Sequence, residues 1–219
     1  MSTTVEQRSG VPLLTESETP PAPPATNPLL GNPGIVGIPT VIAGAIGLGL
    51  IDTGYLPATA AGAALPIMIM ATAIGLLITT IWAAALGQNA GASLFAVFFG
   101  FYGSYAGFVL GLDHGWFGIA ATEFTKATEA WLICWFLTIV MMTLTTLRLP
   151  SSFTLLLGLV DVALVLLYAG TASGNASLTH IGGVVVWLFI FVAAYLFVDI
   201  MDRETGGKGL PLGRPILGG

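Results

Sequence analysis

An all-α, polytopic membrane fold with six transmembrane helices is predicted by three observations. Six continuously apolar stretches follow one another between Ile35 and Val198, their interiors are nearly free of charge, and the composition is one that water-soluble domains do not carry. Hydrophobic residues make up 55% of the 219 and charged residues 8%, with mean hydropathy +0.92, whereas soluble domains are roughly one-quarter charged. Membrane β-strands would alternate apolar and polar residues over about ten positions. These runs do not alternate, so each is a helix that satisfies its own backbone hydrogen bonds in lipid.

The elements follow in order. Residues 1–31 are polar and proline-rich (Pro12, Pro20, Pro21, Pro23, Pro24), with Glu6, Glu16 and Glu18 against Arg8, and read as a disordered tail. They lack the basic start, apolar core and small-residue cleavage site of a secretory signal. The membrane domain spans 32–200, with helices expected near Ile35–Ile51, Ala58–Ala85, Ala92–Leu112, Ala130–Leu147, Phe153–Thr171 and Ile181–Val198. Residues 201–219 form a short C-terminal tail. With six crossings, Arg8, Arg148, Arg203, Lys208 and Arg214 share one side and Lys126 stands alone on the other, which predicts cytoplasmic termini; the cell's inner (plasma) membrane is the expected location.

Several classes of function are excluded. The single cysteine, Cys134, supports neither a disulfide nor a thiolate metal site within one subunit. Neither histidine has a ligand set, since His114 has only Asp113 beside it, so no metal is expected. No basic cluster suggests nucleic acid, despite a net charge of only −5. No Walker motif, no Gly-x-Ser-x-Gly elbow and no nucleophile–base pair is present, so the chain reads as neither an ATP-driven pump nor an enzyme, and no cofactor is expected.

What remains are polar groups that lipid penalises, and glycines. Gly103, Gly107 and Gly111, with Gly100 near the same stripe, allow close approach of another backbone. Asp161 is the acid in the middle of a span, where a charge costs about 2.5–3.5 kcal/mol on translocon scales. It and His180, at the head of the last span, are the candidate proton sites. Asp199 and Glu129 sit at span ends and are expected to be wetted by headgroup water. Tyr102 lies too deep for an interfacial belt, so its hydroxyl requires a partner in protein or trapped water.

Taken together, these residues resemble the acetate uptake transporter family. The resemblance is carried by Asn32-Pro33-Gly34-Ile35-Val36-Gly37-Ile38, Gly54-Tyr55, Tyr102-Gly103-Ser104, Trp135, Thr146-Leu147-Arg148, Gly174-Asn175-Ala176, His180 and Tyr195, in that order. It implies six helices around a narrow pore in each subunit, a homo-hexamer, and a route for small monocarboxylates such as acetate, with succinate taken by some members. By position, the family's narrow point falls on Val41, Tyr102 and Val160, two valines replacing larger side chains. The family's glutamine and glutamate at the end of the second span are replaced by Thr80 and, near the glutamate's place, Gly87; Asp161 stands where an uncharged residue is usual.

Without a buried Arg or Lys, the donors left to a carboxylate are Asn32, Thr40, Tyr102, Ser104, Asn175 and Thr179, aided by helix N-termini near Asn32 and His180. Such a route is expected to be proton-linked or channel-like. A passive channel for a neutral solute such as urea or an amide, and a nonconducting scaffold, stand as alternatives.

Overall fold

The computed structural model describes residues 30–218. The proline-rich stretch read as a tail lies outside the described residues up to position 29. Among the described residues there are six helical spans, and each is long and apolar enough to cross a membrane.

Helix α1 (Gly34–Asp52) begins where the Asn32 side chain accepts a hydrogen bond from the Gly34 amide at 2.9 Å, satisfying one of the donors a helix start leaves open. The second span covers Ala58–Ala85, as expected, but is not one regular helix. A 3₁₀ segment (Ala58–Ala64) and a π-helical segment (Ile67–Ala73) precede helix α2 (Ile74–Ala85). Pro57 and Pro66, which offer no amide, open the two irregular pieces. Helix α3 is Asn89–Asp113, α4 is Phe124–Thr145, α5 is Ser151–Ser173 and α6 is Ala176–Glu204.

Helix α5 stops at Gly174, whose φ of +64° closes the turn, and the Asn175 side chain then caps α6 by accepting from the Ser177 and Leu178 amides at 3.0 and 3.4 Å. Two helices run past their expected ends. Helix α4 starts at Phe124 instead of Ala130, and α6 continues to Glu204 instead of Val198. In each extension an ion pair one turn apart joins the charged residues that ended the apolar run, Lys126–Glu129 at 2.7 Å and Arg203–Asp199 at 3.1 Å. The expectation that Glu129 and Asp199 are wetted is therefore corrected: they are 7% and 3% exposed, and these pairs take the place of water.

In the bundle α4 packs on α5, α5 on α6, α6 on α1, and α1 and α3 on the second span, so the helices close a ring whose thinnest seam lies between α3 and α4. That seam is held mainly by rings: Trp131 and Trp135 lie within about 5.5 Å, centroid to centroid, of Phe101, and Trp131 also of Tyr105. Ser104 accepts from both indole N–H groups, at 3.2 and 3.0 Å. The expected glycine stripe of α3 does not meet one continuous neighbour. A Cβ on Gly100 would reach Trp135, one on Gly111 would strike Phe117, and one on Gly107 would meet open space.

The outside of the ring is apolar. Met70, Ile81, Met141 and Phe191 are each more than 60% exposed, the inverse of a water-soluble surface. Arg148, Arg203 and the residues after α6 gather at the face where α1 begins; Asp52, Asp113, Lys126 and His180 lie at the opposite face.

Candidate functional site

The ring encloses a cavity of about 310 Å³ that runs from the Asp52 face to the aromatic side chains at mid-depth. Helix α1 lends Ala45, Leu48 and Asp52; α3 lends Tyr102 and Tyr105; α4 lends Thr128 and Trp131; α5 lends Val160 and Thr171. A second, shallower pocket of about 590 Å³ lies at the Asp52 face and includes His180. Asp52 and Thr179 line both, so the outer pocket and the inner cavity meet at these two residues.

Tyr102 forms part of the cavity's inner end. It is 2% exposed, Phe101 lies edge-on to it at 5.2 Å, and its hydroxyl donates to the Val41 carbonyl over a long 3.4 Å. Val41 does not line the cavity but stands behind the tyrosine; Val160 lines it with Tyr102. Gly44 makes this packing possible, because a Cβ there would fall 2.7 Å from Thr72 Oγ1 and 2.8 Å from Tyr102 Cε1. Thr72 thus lies beside the tyrosine, fully buried, and its hydroxyl has no hydrogen-bond partner. Thr79 and Thr80, one helix further on, donate to the carbonyls four residues back at 2.8 Å. Thr72 sits in the π-helical segment, where the ordinary four-residue register is broken and this local bond is not made.

The other candidates separate into those at the cavity and those committed elsewhere. Thr179 lines both spaces. Asn32 and Asn175 are helix caps. Thr40 donates to the Gly37 carbonyl at 2.8 Å and packs against Gly75 of α2, while Ser104 is occupied by the two tryptophans. Asp161 does not line the cavity; it lies on the α4–α5 seam, where Thr143 donates to Oδ2 at 2.7 Å and the buried Oδ1 has no partner. His180 is exposed in the outer pocket, with Nδ1 3.1 Å from the Thr53 carbonyl, to which it donates in the Nδ1–H tautomer.

Sequence reasoning missed Asp52 and Thr72. An acid closing the first span just before Gly54-Tyr55, and a mid-span threonine six residues after Pro66, were the available signals.

A ring of six membrane-spanning helices around an internal cavity defines a polytopic α-helical membrane protein with a built-in partial passage. Residues 15–206 match the sequence profile of the GPR1/FUN34/yaaH family, and the chain belongs to that family. It is accordingly a membrane transport protein and not an enzyme. A solved structure described as that of the bacterial acetate channel SatP has the same fold, with a TM-score of 0.74 at 22% identity, covering 84% of this chain and 99% of the other. A search of curated protein sequences gives no match.

Proposed function

We propose that the chain conducts acetate and related small monocarboxylates across the plasma membrane through this cavity, in a proton-linked, channel-like manner. The observation that carries the reading is a cavity walled by aromatic and aliphatic side chains, with hydroxyls at its ends, inside a subunit whose fold is that of a bacterial acetate channel. The apolar wall suits a methyl group and the hydroxyls of Thr179 and Thr171 suit a carboxyl. Tyr102 and Val160 form the narrow point, with Tyr102 as its bulk, and Val41, expected beside them, instead stands behind the tyrosine and accepts a hydrogen bond from its hydroxyl. Val160, standing where the resemblance expects a larger side chain, leaves room for a four-carbon acid, so succinate falls within the range. Arg148, Arg203, Lys208 and Arg214 at the face where α1 begins support cytoplasmic termini. The open surface at Gly107 supports assembly with further copies, as a homo-hexamer.

Labelled-acetate uptake into proteoliposomes tests the reading, with Tyr102→Ala beside the unaltered protein. Uptake above protein-free vesicles, with rate or selectivity changed by Tyr102→Ala, is expected. An unchanged profile would move the route away from α3, and no uptake under any proton gradient would point to a scaffold. One observation favours a neutral-solute channel: neither space is lined by Lys or Arg. Urea or acetamide flux without acetate competition is the outcome that would select it.

A further inference from the structure

Asp52 occupies the junction of the two spaces, and no described residue pairs with it. It lines both the outer pocket and the inner cavity, and among the described residues its carboxylate has neither a hydrogen bond nor an ion pair. Its backbone is closely packed. The Thr53 amide donates to the Gly49 carbonyl at 3.1 Å, and Gly183 of α6 packs so closely that an added Cβ would fall 2.8 Å from the Asp52 carbonyl carbon.

The titratable groups facing the junction are few. Helix α3 presents Tyr105 and Asp113, and α6 presents His180; α4 and α5 contribute Thr128, Trp131 and Thr171 but no ionisable side chain. Lys126 and Glu129 are paired with each other and line neither space.

A carboxylate substrate moving from the outer pocket to Tyr102 must therefore pass another carboxylate that has no counter-ion. Two carboxylates sharing a poorly solvated site do not both stay ionised; one proton is retained between them. We infer that Asp52 ties passage to a proton: at the junction, substrate and Asp52 hold one proton in an O–H···O hydrogen bond. The proton sits either on Asp52, donated to the arriving anion, or on the substrate, donated to the ionised aspartate. Both descriptions give the pair one negative charge; the proton enters from the outer solution, leaves inward with the substrate as the neutral acid, and Asp52 stays ionised until the next proton and anion arrive. This rests on the proposed carboxylate route and names the residue that makes it proton-linked, in place of Asp161, whose hydrogen bond lies on the α4–α5 seam.

The test uses the full chain in proteoliposomes at fixed total acetate, with labelled-acetate flux followed across pH, a lumenal pH dye and a voltage-sensitive dye, after subtracting protein-free vesicles. The unaltered protein is expected to lose flux by up to about tenfold per pH unit on the alkaline side, as one-proton linkage requires, and to acidify the lumen without generating a voltage. Asp52→Asn and the smaller Asp52→Ser are expected to flatten that profile and let acetate carry net charge, and Asp52→Glu to restore it. Neutral variants that keep the steep profile and the electrical silence would overturn the role of Asp52. A flat profile in the unaltered protein would overturn the proton link while leaving acetate conduction standing. Absence of acetate flux from the unaltered protein would remove the route itself, and this inference with it.

Discussion

At Thr72 a hydroxyl is buried beside Tyr102 without a partner, and single side chains of this kind decide what the pathway can hold. Leaving a buried polar group unsatisfied costs roughly 1–3 kcal/mol, so the threonine is a poor structural choice; it lines neither space but lies beside Tyr102 at the cavity's inner end, where a route continued past the tyrosine would meet it as a donor. Thr72→Val keeps the shape and removes the donor. It is expected to raise stability by about 1 kcal/mol while lowering acetate flux severalfold, since a net hydrogen bond is worth about 1 kcal/mol. Thermal unfolding of the detergent-solubilised protein and proteoliposome flux check the two halves; a fall in both would mean that Thr72 is bonded in the resting protein. Asp161 gives the opposite case. Its partner Thr143 lies on α4 and the cavity lies elsewhere, so Asp161→Asn is expected to leave flux and its pH dependence unchanged. A loss of pH dependence in that variant would return the proton role to the fifth span.

Between helices, contact distances rest on glycines whose need for smallness only the partner helix reveals. Gly183 is one: a Cβ there would meet the Asp52 backbone carbon and the Thr53 nitrogen at 2.8 Å, and backbone atoms do not move aside as a side-chain tip would. Gly183→Ala is expected to destabilise the α1–α6 contact by about 1–3 kcal/mol and to lower the unfolding midpoint, whereas Gly107→Ala, facing open space within the subunit, is expected to leave the unfolding of the single subunit unchanged. The six spans were legible because a bilayer demands about twenty apolar residues per helix, a requirement each run meets on its own. The extra turns of α4 and α6 were not, because apolarity ends where Lys126 and Asp199 begin while hydrogen bonding continues through their ion pairs. The division of the polar candidates was equally hidden. Asn32, Asn175 and Ser104 look like pathway donors in sequence, yet the first two cap helix starts and the third is taken up by two indoles one turn apart on α4. Asp52 escaped notice for the converse reason: an acid at a span end reads as solvated until the surrounding helices place it over a cavity.

For the whole molecule, the chain after α6 turns back across the ends of α4, α5 and α6 and joins them. The Leu210 amide donates to the Asp199 carboxylate at 2.6 Å and the Gly209 amide to Asp202 at 2.8 Å, while Tyr195 donates its hydroxyl to the Pro211 carbonyl at 2.8 Å. Further on, the Leu212 carbonyl accepts from Ser152 at 3.1 Å and the Leu217 amide donates to Leu147 at 2.9 Å. What reads in sequence as a short tail is thus a strap, and it lies beyond the family-matched region, which ends at residue 206. Its main mechanical consequence is at Asp199, which is 3% exposed and relies on the Leu210 amide together with Arg203. Removing residues 207–219 leaves Arg203 in place but takes away the amide, so the buried carboxylate loses one of its two partners. A bond to a charged group is worth about 1.5–3 kcal/mol, and the truncated chain is expected to lose stability by that margin, read as a lower unfolding temperature. Asp199→Asn should lessen the penalty, because the neutral amide no longer needs a charged or charge-assisting partner: truncation in the Asp199→Asn background is expected to cost measurably less than truncation of the unaltered chain. Equal losses in the two backgrounds would show that the strap stabilises the bundle through its contacts with α4 and α5 and not through Asp199. The strap lies at the face opposite Asp52, so acetate flux per folded subunit is expected to survive the truncation.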